Sequence, residues 1–363
     1  MKRFVFSLLV LLFSVAGASA QLKFVDAEQL GLVNKLGPTK NRYHRVDTDK
    51  YDLTQTEANL LRMPAGMALL AYRLALVFRT NSSQIVVRTH YLNYSMVRYS
   101  TTGVSQTGYD LYIRKDGEWM YAGSNAPKNE DAELVLVRNM DDSEKECLLY
   151  LPLFSELKRI EIGIDEGAEI EASANPFRHR IVIFGSSFTH GTSTGRPGMS
   201  YPMIMQRNTG LQFISLGVSG NSKLQQSFAA IIGDSACDAI VVDAFSNPGP
   251  EMIRERFLPF VAAIRKAHPA VPLIFLQTIY RERANFDLKE RAREEEKRRA
   301  AREVFEEAAE IYNDIYFVDE PDLTGTDHIT SLDGTHPDDL GYWRWANAIQ
   351  PRIVKILKKY GIR

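Results

Sequence analysis

The sequence predicts an α/β fold in two parts, an all-β sandwich followed by a three-layer doubly wound parallel sheet. Three observations predict it. Short alternating apolar segments fill the region from about Tyr43 to Ala172, with no strong helical period. Beyond Asn175-Pro176, apolar runs alternate with helical stretches in the rhythm of βαβ units. At 363 residues the chain also exceeds what one hydrophobic core usually organises. The expected division is a leader at 1–20, a β-sandwich domain at 21–175 and an α/β domain at 176–363.

The leader comes first. Lys2 and Arg3 precede an apolar run from Phe4 through Val15 and the small residues Ala18-Ser19-Ala20. The run is short for a bilayer span and ends in an A-x-A site, which predicts a signal peptide cleaved after Ala20. Export to the periplasm or the medium follows, with no membrane anchor after cleavage. Position 21 is Gln, so a bacterial lipid anchor on Cys is not supported.

In the sandwich, Ile85-Val86-Val87-Arg88-Thr89, Leu111-Tyr112-Ile113 and Ile160-Glu161-Ile162-Gly163-Ile164 read as half-buried strands. Lys115-Asp116-Gly117 lies between two such segments and predicts a hairpin turn, where glycine accepts a positive φ. In the second part the runs Ile181 to Phe184, Phe213 to Leu216, Ala239 to Ala244 and Leu273 to Leu276 are continuously apolar, as strands buried on both faces must be. Ligands of such sheets sit beyond the carboxyl ends of the strands, so chemistry is sought in the residues just after each run. The charged stretch Arg281 to Arg302 mixes both signs at helical spacing and reads as a solvated helix face with no catalytic role.

Composition narrows the partners. With 44 Lys and Arg against 45 Asp and Glu, the formal net charge is −1, which leaves no global field for nucleic acid or an acidic membrane. Only Cys147 and Cys237 are present, on opposite sides of the expected boundary, and they read as two buried free thiols. No dinucleotide fingerprint and no His or Cys set of metal-ligand spacing appears, so neither a cofactor nor a metal is expected.

Chemistry concentrates in two places. Gly185-Ser186-Ser187-Phe188-Thr189-His190-Gly191 follows the first apolar strand of the second part, a strand-to-helix turn that would display Ser187 at the sheet's carboxyl edge beside free backbone N–H groups. The same residues also fit a plain structural turn. Near the C-terminus, Asp333-Gly334-Thr335-His336-Pro337 spaces a carboxylate three residues from an imidazole, which lets Asp333 hold the Nδ1–H of His336 while Nε2 accepts a serine proton. A helix entry with Asp338 as N-cap is the other reading. His328 reads as a loop residue and His190 as a lining of the cleft. Tyr342, Trp343 and Trp345 are expected to pack on the sheet, and Arg196 to Tyr201 to border the pocket and begin a helix.

Taken with Gly220 in Leu216-Gly217-Val218-Ser219-Gly220-Asn221 and Asn247 in Phe245-Ser246-Asn247-Pro248, these motifs in order resemble the SGNH, or GDSL-type, hydrolase family from about Arg180 to the C-terminus. The resemblance implies a flavodoxin-like hydrolase domain and an acyl-serine mechanism. Ser187 is then the nucleophile, His336 the base and Asp333 its orienter. The N–H groups of Ser187 and Gly220 and the side-chain amide of Asn247 form the oxyanion hole. Two acidic residues frequent in the family are replaced, by Ser186 and Pro248, which predicts altered local support rather than lost activity. Asn247 also fits a cap of the turn before Pro248.

The sandwich ahead of the hydrolase resembles two-domain carbohydrate esterases of gut bacteria. The expected function is therefore an exported serine esterase acting on an acetyl or short acyl group of a small molecule or oligosaccharide, with activity falling as pH drops below about 6. The alternatives are an acyltransferase using the same residues and an inactive glycan-binding protein.

Overall fold

A computed structural model describes residues 21–54, 74–94 and 100–363, so the expected leader at 1–20 lies outside the described residues. Among the described residues the first part has ten strands: β1 (Leu22–Asp26), β2 (Gly31–Val33), β3 (Ala75–Thr80), β4 (Ile85–Asn93), β5 (Tyr109–Lys115), β6 (Glu118–Asn125), β7 (Leu134–Val137), β8 (Lys145–Tyr150), β9 (Glu156–Asp165) and β10 (Ile170–Ala172). They form a four-stranded sheet in the order β1-β9-β4-β7 and a six-stranded sheet in the order β10-β3-β8-β5-β6, with β2 also paired to β3. Every pairing is antiparallel.

Alternation places one face of each sheet inside. Ile160, Ile162 and Ile164 of β9 share a core with Leu76 and Phe78 of β3 and Leu149 of β8. The β5–β6 hairpin turns through Asp116 at φ 53° and Gly117 at φ 85°, the two positive-φ residues a type I′ turn requires. Strand structure begins at Leu22 rather than Tyr43, and a short helix, α1 (Gly103–Thr107), capped by the Thr102 side chain, interrupts the strands. The five-residue β1 escapes notice because it is an edge strand whose residues are mostly half-buried.

The second part is a five-stranded parallel sheet of β11 (Arg178–Gly185), β12 (Leu211–Gly217), β13 (Ala239–Asp243), β14 (Leu273–Leu276) and β15 (Ile315–Val318), ordered β12-β11-β13-β14-β15. That is the flavodoxin-like order, whose switch point lies between the first and third strands, β11 and β13. The helices are α2 (Ser187–His190), α3 (Tyr201–Thr209), α4 (Gln226–Gly233), α5 (Pro250–Ala267), α6 (Leu288–Ile311) and α7 (Asp339–Lys358). Val182 and Phe184 of β11 pack with α4, α5 and α6, whereas Ile181 and Ile183 pack with α3 and α7, which makes three layers.

Within the six-stranded sheet β3 and its neighbour β8 are buried on both faces, which explains why β3 reads Ala-Leu-Val-Phe without alternation. Its second face, carrying Ala75, Val77, Tyr112, Leu148 and Tyr150, joins the core built on Ile181, Ile183 and Phe213 of the parallel sheet. Arg45, 2% exposed, donates to the carbonyls of Ser215 and Gly217 on β12 and so closes the edge of that sheet.

Two expectations need correction. Cys147 is buried, but Cys237 is only half-buried, and both are free. The charged run also does more than face solvent, because Glu294 and Lys297 are each 1% exposed. The apolar residues that α6 turns to the core, Ala300, Ala301, Val304 and Ala308, lie in its C-terminal half, so Glu294 and Lys297 one turn earlier read as part of the solvated face.

Candidate active site

Ser187 opens α2 directly after β11. The Ser186 side chain caps the helix by accepting from Phe188 N–H at 3.3 Å, and Gly191, at φ 79°, ends it one turn later. Close approach of this turn to the sheet depends on two glycines. A Cβ on Gly185 would meet the Thr189 hydroxyl at 2.0 Å, and one on Gly217 would meet the His190 backbone nitrogen at 2.4 Å. As the first helical residue, Ser187 has an N–H with no intrahelical acceptor.

The loop before α7 supplies the other two side chains. His336 Nε2 lies 2.8 Å from Ser187 Oγ, and His336 Nδ1 lies 2.8 Å from Asp333 Oδ2. An ionised carboxylate only accepts, so Nδ1 carries the proton and Nε2 is left to accept from the serine hydroxyl. The second oxygen of Asp333 accepts from the backbone N–H groups of Thr335 at 2.9 Å and His336 at 2.7 Å. Burial pushes the Asp333 carboxyl up, but the hydrogen bonds from His336 and Thr335 and the attraction of the imidazole together hold it well below the usual carboxylate range. Gly334, at φ 80°, makes the turn between the two residues, and its carbonyl accepts from Arg283 N–H at 2.8 Å. Asp338 caps α7 through Gly341 N–H at 2.8 Å, so the helix entry and the Asp–His pair coexist in one turn.

The proposed oxyanion donors come from the ends of β12 and β13. Gly220 adopts φ 73° and has nothing within 4 Å of the point where a Cβ would stand, an open face over the loop. Asn247 accepts at Oδ1 from Ser222 N–H at 3.1 Å and from the Ser222 hydroxyl at 3.0 Å, which fixes the amide's orientation and leaves Nδ2 as its donor end. The cap expected of Asn247 is therefore directed to the Gly220 loop rather than to Pro248.

His190 does not line the cleft. It is fully buried, its Nε2 donates to the Leu153 carbonyl at 3.2 Å, and its Nδ1 accepts from Ser219 Oγ at 2.8 Å. It thereby ties the antiparallel part to the residue before Gly220. Tyr342 and Trp345 pack in the core as expected, while Trp343 is 52% exposed. His328 sits on a loop against Glu282 at 2.9 Å. Among the described residues no group of three or more His, Cys, Asp or Glu side chains could hold a metal.

Sequence reasoning passed over the supports of the loop after Ser187. Asp110 of β5 is fully buried and accepts from Arg196 Nη1 at 2.8 Å and from Gly198 N–H at 2.8 Å. Thr102 Oγ1 donates to the Gly195 carbonyl at 2.5 Å, and Ser193 N–H donates to Thr101 Oγ1 at 2.9 Å. The signal in the sequence is a carboxylate among apolar neighbours, Tyr109-Asp110-Leu111-Tyr112-Ile113. Beneath Ser187, Asp243 Oδ2 accepts from Thr189 Oγ1 at 2.6 Å and from Tyr201 Oη at 3.0 Å, while its Oδ1 is buried without a partner among the described residues. Burial pushes this carboxyl up to about 7.

This fold and constellation define the class. A model of the GDSL-like lipase/acylhydrolase family matches residues 178–354, and a model of the N-terminus of SGNH-hydrolase-type esterases matches residues 22–170. The chain belongs to the GDSL-like lipase/acylhydrolase family, also called SGNH hydrolases. A crystal structure described as a GDSL-like lipase from Bacteroides ovatus is similar at 40% identity, with TM-score 0.88, over 93% of this chain and 98% of that one. A salicylyl-acyltransferase from a tetracycline biosynthetic pathway shares the fold at 19% identity, with TM-score 0.71, over 94% of this chain and 99% of that one. A family two carbohydrate esterase from Cellvibrio japonicus does so at 12% identity, with TM-score 0.57, over 93% and 99%. Comparison with curated proteins gave no match.

Proposed function

We propose that the protein is an exported serine esterase that removes an acetyl or other short acyl group from a carbohydrate through an acyl-Ser187 intermediate. The single observation that carries the mechanism is the unbroken chain from Ser187 Oγ to His336 Nε2 and from His336 Nδ1 to Asp333, each step 2.8 Å long.

A hydroxyl is a weak nucleophile until its proton leaves. As Ser187 Oγ bonds to the ester carbonyl carbon, its proton passes to His336 Nε2. The carbonyl oxygen becomes an oxyanion, and in this reading the N–H groups of Ser187 and Gly220 and the Asn247 amide hold it. Collapse breaks the bond to the leaving alkoxide, which takes the proton back from His336. Water then attacks the acyl-serine by the same path and releases the acid. Asp333, anchored by three donors, keeps the imidazole in the tautomer that both halves require.

The acyl group and the sugar are supported less directly. The combination of antiparallel sheets with a hydrolase sheet is shared with the family two carbohydrate esterases, and that shared fold is the support for a glycan substrate. Export rests on the sequence of the first twenty residues. A sugar hydroxyl in place of water would make the same site an acyltransferase, which product analysis with an acceptor sugar separates from hydrolysis.

Purified protein should release p-nitrophenol from p-nitrophenyl acetate, and Ser187→Ala should abolish the release. Equal activity in the variant would overturn the assignment.

A further inference from the structure

Arg281, Glu294 and Lys297 gather in the interior around the Ser246–Asn247 peptide, with Glu290 Oε1 also 3.5 Å from Arg281 Nη1. The carbonyl of Ser246 accepts from Lys297 Nζ at 2.9 Å and from Arg281 Nη2 at 2.9 Å. Glu294 joins the two cations, with Oε1 2.5 Å from Lys297 Nζ and Oε2 3.4 Å from Arg281 Nε. Lys297 and Glu294 are 1% exposed, and the Arg281 side chain is 12% exposed. On the same residue, Ser246 Oγ lies 2.8 Å from Thr278 Oγ1.

The stability of a loop does not ask for this. Burying an ion costs several kcal/mol after relaxation, and a buried pair is often no more stable than apolar residues of the same volume. One neutral donor would satisfy a backbone carbonyl. Here two cations converge on one carbonyl, and it belongs to the peptide that enters Asn247. From the other side, Ser222 holds the Asn247 side chain by its N–H and its hydroxyl. The acidic residue that often follows this asparagine in the family is replaced by Pro248, which offers neither charge nor N–H.

We propose that Arg281, Glu294 and Lys297 are positioning residues that lock the Ser246–Asn247 peptide, so that the Asn247 amide meets the oxyanion without reorganising. This rests on the reading of Asn247 as an oxyanion donor. The two cations fix the peptide from α6 and from the segment after β14. The glutamate between them keeps their charges from repelling and orients both.

The test is a double-mutant cycle on the full chain with p-nitrophenyl acetate, because contributions that act through one group are not additive whereas independent ones are. Asn247→Ala alone should lower kcat by about 100-fold or more. The charge-neutral pair Glu294→Gln with Lys297→Met should lower kcat by about 10- to 100-fold with KM nearly unchanged, the size expected of a misplaced catalytic group. In the Asn247→Ala background the same pair should cost nothing further. Should the pair fail to fold, Arg281→Gln, which leaves the Lys297–Glu294 contact in place, is read by the same cycle. A strong effect of Asn247→Ala with a fully additive second loss overturns the positioning role and leaves the oxyanion reading intact. No effect of Asn247→Ala overturns both.

Discussion

Ser187 Oγ and His336 Nε2 stand 2.8 Å apart although 149 residues separate them. One comes from the end of a central strand, the other from the loop before the last helix, and Asp333 fixes the imidazole between them. The first prediction concerns that third member. Asp333→Asn preserves shape, but its amide cannot serve as the charged acceptor for Nδ1–H. Steady-state kinetics should show kcat lowered by about 1000-fold or more with KM little changed. A loss below tenfold would mean that Asp333 does not orient the base.

The pH profile follows from the same pair. Asp333 is held well below the usual carboxylate range, so it stays ionised throughout the assay range and contributes no limb of its own. The base must be neutral to accept the serine proton, so activity is lost once the medium is acid enough to protonate it. Log kcat/KM against pH should therefore have an acid limb of slope one. A flat limb, or a slope of two, would contradict a single histidine base.

Asp110 supplies a prediction about the antiparallel part. It is fully buried on β5 and holds both Arg196 and the Gly198 N–H in the loop that follows Ser187. Removing the carboxylate leaves the buried Gly198 N–H unpaired and takes from Arg196 its ion-pair partner, though Arg196 keeps the Tyr112 hydroxyl, at a cost of about 1–3 kcal/mol. Urea denaturation of Asp110→Ala should show a loss of that order, accompanied by a lower kcat. A loss within about 0.5 kcal/mol would be the behaviour of an ordinary surface site and would contradict the anchor.

Asp243 predicts a pH-dependent stability. Its carboxyl is pushed up to about 7 by burial, against ~3.9 for an unfolded aspartate. The folded state thus holds a proton that the unfolded chain releases first, and this contribution, present below about pH 4, is lost as pH rises towards 7. A difference of about three units corresponds to roughly 4 kcal/mol. Asp243→Asn cannot ionise, so the wild-type stability relative to the variant should fall between pH 4 and pH 7 in chemical denaturation. Parallel curves would contradict a neutral Asp243.

Much of this architecture is written in local patterns. Ile240-Val241-Val242 announces a strand buried on both faces, and Asp116-Gly117 announces its own turn, because each is decided within a few residues. The hydrogen-bonded arrangement of Ser187, His336 and Asp333 was legible because such a chain needs particular side chains at a strand end and in one turn. The supports were not. Lys297 looks like any lysine of a charged helix until the fold brings it to the Ser246 carbonyl, 51 residues away. His190 has the same history: it follows Ser187 by three residues, but its partners include Leu153 and Ser219. Strand β15 was missed because Ile315–Val318 is a four-residue edge strand, half-buried except at Val318.

The central claim is that acyl transfer passes through Ser187. Labelling with a fluorophosphonate probe, followed by peptide mass spectrometry, tests it most directly. The account predicts one adduct, on Ser187, which is absent in Ser187→Ala and strongly reduced in His336→Ala. Folded protein that takes no label, or label carried by another residue, would contradict it.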